Sequence, residues 1–539
     1  MNRPPGRTQE MPGRATMIDF GAIKNVADIS RAQAKARPDE VAHIFEGKET
    51  SFKELDARAS KVAQGLIAEG CKPDARIGFM GKSSDIYFEM LHGAFKAKAV
   101  VVGVNWRLAP PEVTYVLNDS KTEILFVSDD FYPIVEKVLK DCPSVRKVIA
   151  LDGGHPEWES FADWRDRFEN KDPMLPIAPD DDVIQLYTSG TTGHPKGVQL
   201  TDANYISILR QGVEAGWANW HEGEVNLVCM PLFHVAGVNV GLLGNAHGCT
   251  NVILKDVDPQ EILRLIETYK INIAFMVPAV ILFLLQQPNI GDVDVSSVRQ
   301  VLYGASPIPE EVLKKAQERF GCEFVQLYGL TETGGAGTNL APEDHDPAKG
   351  KLRSCGKPNK GLEVKIIGAD GKEVKTGDVG EIMIRGGSIM KGYWNRPDAT
   401  KEAVDADGWF RTGDAGYFDA EGFVFIHDRV KDMIVSGGEN IYPAEVENAL
   451  FGHPAIADAA VVGVPDDKWG EAVKAIVVLE PGQEAKPEDI IAWAKTQIAS
   501  YKVPKSIDFI EALPRNPSGK ILRRELRAPY WEGRERQVN

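Results

Sequence analysis

The chain has 539 residues, 43% of them hydrophobic and 26% charged, with a formal net charge of −16. That length exceeds what one hydrophobic core organises, so two or more domains are predicted, and the composition is that of a globular chain. The negative balance argues against a dedicated nucleic-acid binder.

Residues 1–16 are rich in Pro, Gly and Arg and lack an apolar signal core, so they read as a disordered extension, with Met17 as an alternative start. Residues 52–69 place Leu55, Ala59, Val62, Ala63, Leu66 and Ile67 at helical spacing and end at Gly70. A strand at 75–80, a helix at 85–98 and a strand at 99–104 follow. That order predicts a parallel sheet. Apolar runs at 123–127, 147–151, 226–230, 250–254 and 273–277 repeat the strand signal, with a helix at 259–269. The longest apolar run, 274–285, is too short to span a bilayer and contains Pro278, so no stable membrane insertion is expected.

From Gly361 the texture changes. Residues 362–367, a turn at 369–371 and residues 380–385 read as a hairpin, and 423–426 continues a β-rich subdomain. Residues 428–432 are charged and aperiodic. Strand and helix signals then resume at 459–464, 472–479, 487–500 and 506–510. The expected fold class is α/β: a large multi-sheet domain (17–430) with a β-rich subdomain, then a small mobile α+β domain (431–539). Cys71, Cys142, Cys229, Cys249, Cys322 and Cys355 show neither C-x-x-C nor metal-ligand spacing, which fits a reducing compartment. The last four residues carry no Ser-Lys-Leu address, and the expected location is the cytoplasm.

One stretch concentrates the chemistry. Thr188, Ser189, Gly190, Thr191, Thr192, Lys196 and Gly197 follow a strand-like run at 182–187. Glycines let successive N–H groups converge on one anion, hydroxyls add donors, and a lysine adds a point charge suited to phosphate. The G-x-x-x-x-G-K-[ST] spacing of a Walker loop is absent. Taken alone, the stretch reads equally well as a flexible Ser/Gly loop.

Four further stretches follow in order. They are Tyr328-Gly-Leu-Thr-Glu332, Gly408-Trp-Phe-Arg-Thr-Gly-Asp414, Asp428-Arg-Val-Lys-Asp-Met-Ile-Val-Ser-Gly-Gly-Glu-Asn440 and Pro514-Arg-Asn-Pro-Ser-Gly-Lys520. With the loop at 188–197, these five resemble the ordered motifs of the adenylate-forming superfamily: acyl-CoA synthetases, luciferases and peptide-synthetase adenylation domains. The resemblance runs from about Ile29 onward.

It implies a role for each site. The loop at 188–197 holds the β- and γ-phosphates of ATP. Tyr328 stacks on adenine, Thr331 bonds the α-phosphate and Glu332 carries Mg²⁺, a hard cation that takes carboxylate oxygens. Asp414 and Arg429 bind the ribose. Gly304, Ala305 and Ser306 border adenine and the acyl pocket. His234, with Val235, walls the substrate carboxylate, which is already ionised and needs no base. Lys520 bridges that carboxylate and the α-phosphate. Lys431 is a hinge, and rotation about it exchanges Lys520 for Ser436, Gly437, Gly438 and Glu439 along a CoA tunnel. Gly329 stands where acetate-specific members carry a tryptophan, so a deeper acyl pocket is expected. Away from the motifs, Glu332, Lys520 and the Asp414–Arg429 pair have plainer readings as surface charges, and His234 as a core histidine.

The implied reaction is carboxylate plus ATP to acyl-adenylate and pyrophosphate, then CoA to acyl-CoA and AMP. ATP, Mg²⁺, CoA and a small carboxylic acid are the expected ligands, with a homodimer as the expected state. Short- and medium-chain acids head the substrate expectation, 3-methylmercaptopropionate among them, and aryl acids remain open. The other readings are an adenylating enzyme with a different acceptor, such as a carrier protein, and a non-catalytic ATP-binding module. No carrier domain follows residue 539, so loading in cis is not expected.

Overall fold

In a computed structural model, residues 18–188, 195–429, 432–436, 439–466, 469–516 and 519–532 are described. Among them the large domain builds two sheets, nine- and eight-stranded, whose central strands pair in parallel. Helices fill the crossovers. Phe52–Ala68 opens with a capping box in which Ser51 and Glu54 satisfy each other's backbone N–H groups. Pro259–Tyr269 starts from Asp258, whose carboxylate accepts the Glu261 N–H at 3.0 Å. The apolar run at 274–285 divides at its proline. Ile273–Met276 is a buried strand, and Pro278–Leu285 is a helix with proline at its first turn. No helix among the described residues is long and apolar enough to cross a membrane.

Leu362–Ile367, Gly380–Gly386, Phe410–Phe418 and Val424–Arg429 form a four-stranded antiparallel sheet, the expected β-rich subdomain. The small domain follows. Its sheet pairs Ile456–Asp466 with Gly470–Leu479, and Ser506–Phe509 joins in parallel. Pro443–Phe451 and Pro487–Gln497 contribute Val446, Leu450, Ile490 and Ala494 to its own core. The fold is the expected α/β architecture. Lys431, the expected hinge, lies outside the described residues, as do Gly437 and Gly438.

One helix departs from the amphipathic pattern. Val235–His247 is buried nearly all round and packs without a polar stripe. Its glycines permit this. A Cβ on Gly237, Gly241 or Gly244 would lie 2.3, 2.2 or 2.1 Å from Pro231 O, Phe88 Cζ or Asn251 Oδ1. The helix therefore beds against Pro231, the helix Asp85–Ala97 and the strand Thr250–Ile253.

Candidate active site

The strands Gln300–Gly304 and Glu323–Tyr328 are parallel neighbours, with Gly304 opposite Leu327. Ligands of open α/β sheets bind beyond such carboxyl ends. A Cβ on Gly304 would sit 2.2 Å from the Leu327 carbonyl, so only glycine fits. Ala305 then takes a left-handed φ of +68°, a costly conformation for a residue with a Cβ. It turns the chain toward Ser306.

After Tyr328 the chain makes a tight turn, Thr331–Thr333, with Thr331 and Glu332 buried. Thr333 fixes it: its hydroxyl accepts the Leu330 N–H at 3.0 Å and donates to the Leu330 carbonyl at 3.1 Å. Glu332 Oε1 accepts hydrogen bonds from the Tyr393 hydroxyl at 2.9 Å and the Thr188 hydroxyl at 3.3 Å. Lys196 stands with its ammonium 4.1 Å from the centre of the Tyr393 ring. Strand pairing explains the meeting. Asp182–Thr188 and Lys196–Thr201 are antiparallel, with Thr188 opposite Lys196. The short strand Gly392–Tyr393 pairs with the second of them. The hairpin mouth thus holds hydroxyl, ammonium and carboxylate together. Ser189, Gly190, Thr191 and Thr192 lie outside the described residues.

Glu332 fits a Mg²⁺ held mainly by phosphates and water, which needs only one or two protein carboxylates. Its two bonded hydroxyls leave carboxylate lone pairs for an ion. Among the described residues no three His, Cys, Asp or Glu side chains gather into a cage of their own.

Tyr328 points its hydroxyl at Asp414 Oδ2, 2.7 Å away. Burial, and secondarily Asp414, push the Tyr328 phenol well above its ordinary value, so it stays a donor. Asp414 is 5% exposed, and its N–H donates to the Thr412 hydroxyl at 3.0 Å. It pairs across the sheet with Arg429. The two expected ribose residues are therefore backbone neighbours on adjacent strands.

His234 is the N-cap of the helix Val235–His247, its Nδ1 accepting the Ala236 N–H at 3.3 Å. Desolvation pushes its pKa down to about 4, and the Lys520 ammonium adds to that. The imidazole is neutral near pH 7, which suits a wall better than a base. Lys520 belongs to the small domain, yet it shares a cavity with Ser306, Pro278, Ala279 and Leu282 of the large one. A Cβ on Gly519 would come within 2.8 Å of Val277. The loop tip thus seats directly on the large domain. Ser436 does not line that cavity; it pairs with Glu439 and with Gly470 in the small sheet.

Gly329 answers to a different constraint from the one expected. A Cβ there would lie 2.5 Å from Ala336 N and Gly335 C, so a side chain meets backbone rather than open pocket. The glycine serves the close turn of 329–336, and its lack of a side chain does not report pocket depth. Val235 and Asn239 lie nearer to that turn. Asn239 Nδ2 donates to the Gly334 carbonyl at 2.8 Å, and a Cβ on Gly335 would touch Val235 at 3.2 Å. Sequence reasoning missed Tyr393 and Asn239. Tyr393 stands in a Lys-Gly-Tyr-Trp run with no chemical signal of its own.

Comparison with known proteins matches residues 30–394 to the AMP-binding enzyme model and residues 445–520 to the AMP-binding enzyme C-terminal domain. The chain is 40% identical to the fatty acid–[acyl-carrier-protein] ligase ScoC of Streptomyces coeruleorubidus, over 96% of this chain and 98% of the relative. It is 35% identical to the long-chain-fatty-acid–CoA ligase FadD13 of Mycobacterium tuberculosis, over 94% and 99%. Among solved structures, the anthranilate CoA ligase AuaEII in complex with anthranoyl-AMP superposes with a TM-score of 0.87 at 26% identity, covering 94% of this chain and 97% of that one.

Proposed function

We infer the reaction from the family: the chain belongs to the AMP-binding enzymes, as an adenylate-forming acid–thiol ligase of the acyl-CoA synthetase type, and we propose CoA as its thiol. A carboxylate oxygen attacks the α-phosphorus of ATP, and pyrophosphate leaves. The CoA thiolate then attacks the acyl carbon of the adenylate, and AMP leaves. The observation that carries this reading is the seating of Lys520 beside His234 and Ser306. An ammonium at that point offsets the repulsion between two anions that must meet.

The other residues take roles that their geometry supports. Thr188 and Lys196 approach the phosphates from the hairpin mouth. Asp414 accepts hydrogen bonds from ribose, and Tyr328, steered by that same carboxylate, lies along adenine. Thr331 donates to the α-phosphate from a turn braced by the Thr333 hydroxyl. Glu332 would hold Mg²⁺, oriented by Tyr393; the ion supplies charge neutralisation when bound. Neutral His234 and Val235 bound the acid. The small domain turns about Lys431 between half-reactions, withdrawing Lys520 and bringing Ser436 and Glu439 toward the thiol.

For the acid we propose a short- or medium-chain carboxylate, 3-methylmercaptopropionate included. Apolar Val235 and Ala236 directly follow His234 in the first turn of the helix Val235–His247, which supports an apolar acid beside that wall. A carrier-protein acceptor is the second reading, favoured by the 40% identical relative named a fatty acid–[acyl-carrier-protein] ligase. A panel of acids from acetate to decanoate, with benzoate and ferulate, decides both points. Each acid is scored for acid-dependent pyrophosphate exchange, then for AMP release with CoA or with a phosphopantetheinylated carrier protein. CoA-dependent release that peaks at a short or medium chain is expected. Release with carrier protein alone would replace the acceptor.

A further inference from the structure

Lys520 rides on a short loop whose stems are tied to each other. Arg515 and Ile521 form an antiparallel bridge, and the Leu522 N–H donates to the Pro514 carbonyl at 2.9 Å. Asn516 braces the interior. Its N–H donates to the Lys520 carbonyl, its carbonyl accepts the Gly519 N–H, and its Oδ1 accepts the Lys520 N–H, each at 2.8 Å. Gly519 supplies the left-handed φ of +78° that turns the chain at the lysine. These bonds set the loop's own shape. They do not set where the loop sits on the small domain.

Two guanidinium groups do. Arg515 Nη1 donates to the Gly519 carbonyl at 2.8 Å, and its Nη2 donates to Asp458 Oδ2 at 2.7 Å. Asp458 is 8% exposed on the strand Ile456–Asp466, and its Oδ1 accepts the Ala459 N–H at 3.0 Å. The carboxylate is thus fixed to the sheet by backbone, and the guanidinium carries that fixity to the residue before the lysine. Beyond the lysine, Arg523 Nη2 donates to both oxygens of Glu447 at 2.8 Å, and Glu447 Oε1 accepts the Val461 N–H at 2.8 Å. Both stems are pinned to the same strand, directly or through a neighbouring helix.

We propose that Asp458 and Arg515 are positioning residues for adenylation: the pair holds the Gly519 carbonyl and thereby places the Lys520 ammonium at the α-phosphate. The proposal rests on the reading that Lys520 serves the first half-reaction. Every contact of the clamp named here lies inside the small domain, so the clamp travels with it. Once the domain turns and Lys520 leaves, the clamp has nothing left to place. Its loss therefore falls on one half-reaction alone. The geometry also requires arginine. A planar fork spans two acceptors in fixed directions, whereas a lysine ammonium keeps the charge opposite Asp458 without that fork.

The test uses the full chain with Arg515→Ala and Arg515→Lys. Three quantities are measured: acid-dependent pyrophosphate exchange with butyrate and with benzoate, thioester formation from synthetic butyryl-adenylate and CoA, and deuterium uptake at the Gly519 and Lys520 amides. Arg515→Ala should lower exchange on the order of 10- to 100-fold, the scale of a catalytic group displaced by about 1 Å. Thioester formation should be unchanged and amide uptake faster, with Arg515→Lys intermediate in exchange. An equal fall in both half-reactions, or unaltered exchange, overturns the proposal. If wild type shows no exchange with either acid, the adenylation reading fails for these acids. The deuterium measurement then still judges the clamp, because unchanged uptake in Arg515→Ala overturns it and faster uptake supports it.

Discussion

The two halves of the site are built differently. The large-domain half is built on interior strands and the turn that follows one of them: Glu332 and Asp414 are 7% and 5% exposed, and each is bonded by a tyrosine from another segment. The small-domain half is a single lysine on a surface loop, held by a few bonds and seated against Val277. The nucleotide stays bound, as ATP and then AMP, through both proposed half-reactions, so its contacts gain from rigidity. The lysine is wanted in only one. A group on a separable element can be withdrawn without disturbing the rest.

Lys520→Ala breaks the comparison most directly. Removing one aimed charge donor costs on the order of 10²–10³ in rate. That loss should appear in acid-dependent pyrophosphate exchange, with thioester formation from preformed acyl-adenylate spared. Equal losses in both would mean that the two halves do not alternate.

Acid separates the halves by stability. His43, His92, His247 and His345 are buried in the large domain, and burial holds their pKa values at about 4, 3, 4 and 4. The bonding of His92 is that of a neutral ring. Asn245 Oδ1 lies 3.0 Å from His43 Nε2, and its Nδ2 lies 3.0 Å from His92 Nε2, so a proton on His92 Nε2 would face another donor. Unfolded histidine titrates near 6.5, so between that value and about 4 the unfolded chain binds more protons. Stability is therefore present above pH 6.5 and lost as pH falls. By pH 5 the loss should be on the order of 1–2 kcal/mol per histidine. Hydrogen exchange, corrected for intrinsic rates, should show Val41–Phe45 and Thr250–Ile253 losing protection before Ile456–Asp466. Simultaneous loss would refute that order.

These differences also mark what the sequence could disclose. Pro259–Tyr269 and Leu362–Ile367 were readable to the residue, because caps, alternation and turn residues are local signals. Val235–His247 was not. Its apolar residues show no 3.6-residue stripe, since it is covered on all sides. The site residues Thr188, Lys196, Tyr328, Glu332, Asp414 and Lys520 stand in motifs. Tyr393 does not, and it reaches Glu332 only through a strand pairing. Gly329 shows the converse limit. A sequence tells that a side chain is missing, but only backbone at 335–336 tells why.

The smallest effect is the sharpest probe of the comparison, because it lies on the seam. The large-domain helix Glu310–Phe320 begins at Pro309, which offers no side-chain cap. Helix starts leave N–H groups needing acceptors. The first of them, on Glu310, donates to Asn448 Oδ1 at 3.1 Å, and Asn448 belongs to the small-domain helix Pro443–Phe451. One domain thus caps a helix of the other while Lys520 is seated. A net hydrogen bond is worth about 1 kcal/mol, roughly fivefold in an equilibrium. Asn448→Ala should lower adenylation by up to about that factor without slowing thioester formation, since only the lysine-in orientation loses a contact. Asn448→Asp keeps the acceptor and places a negative charge at a helix N-terminus, so it should restore or exceed wild-type adenylation. The ratio of the two half-reaction rates is the measurement. If Asn448→Ala lowers both together, the bond stabilises the protein without biasing its orientation.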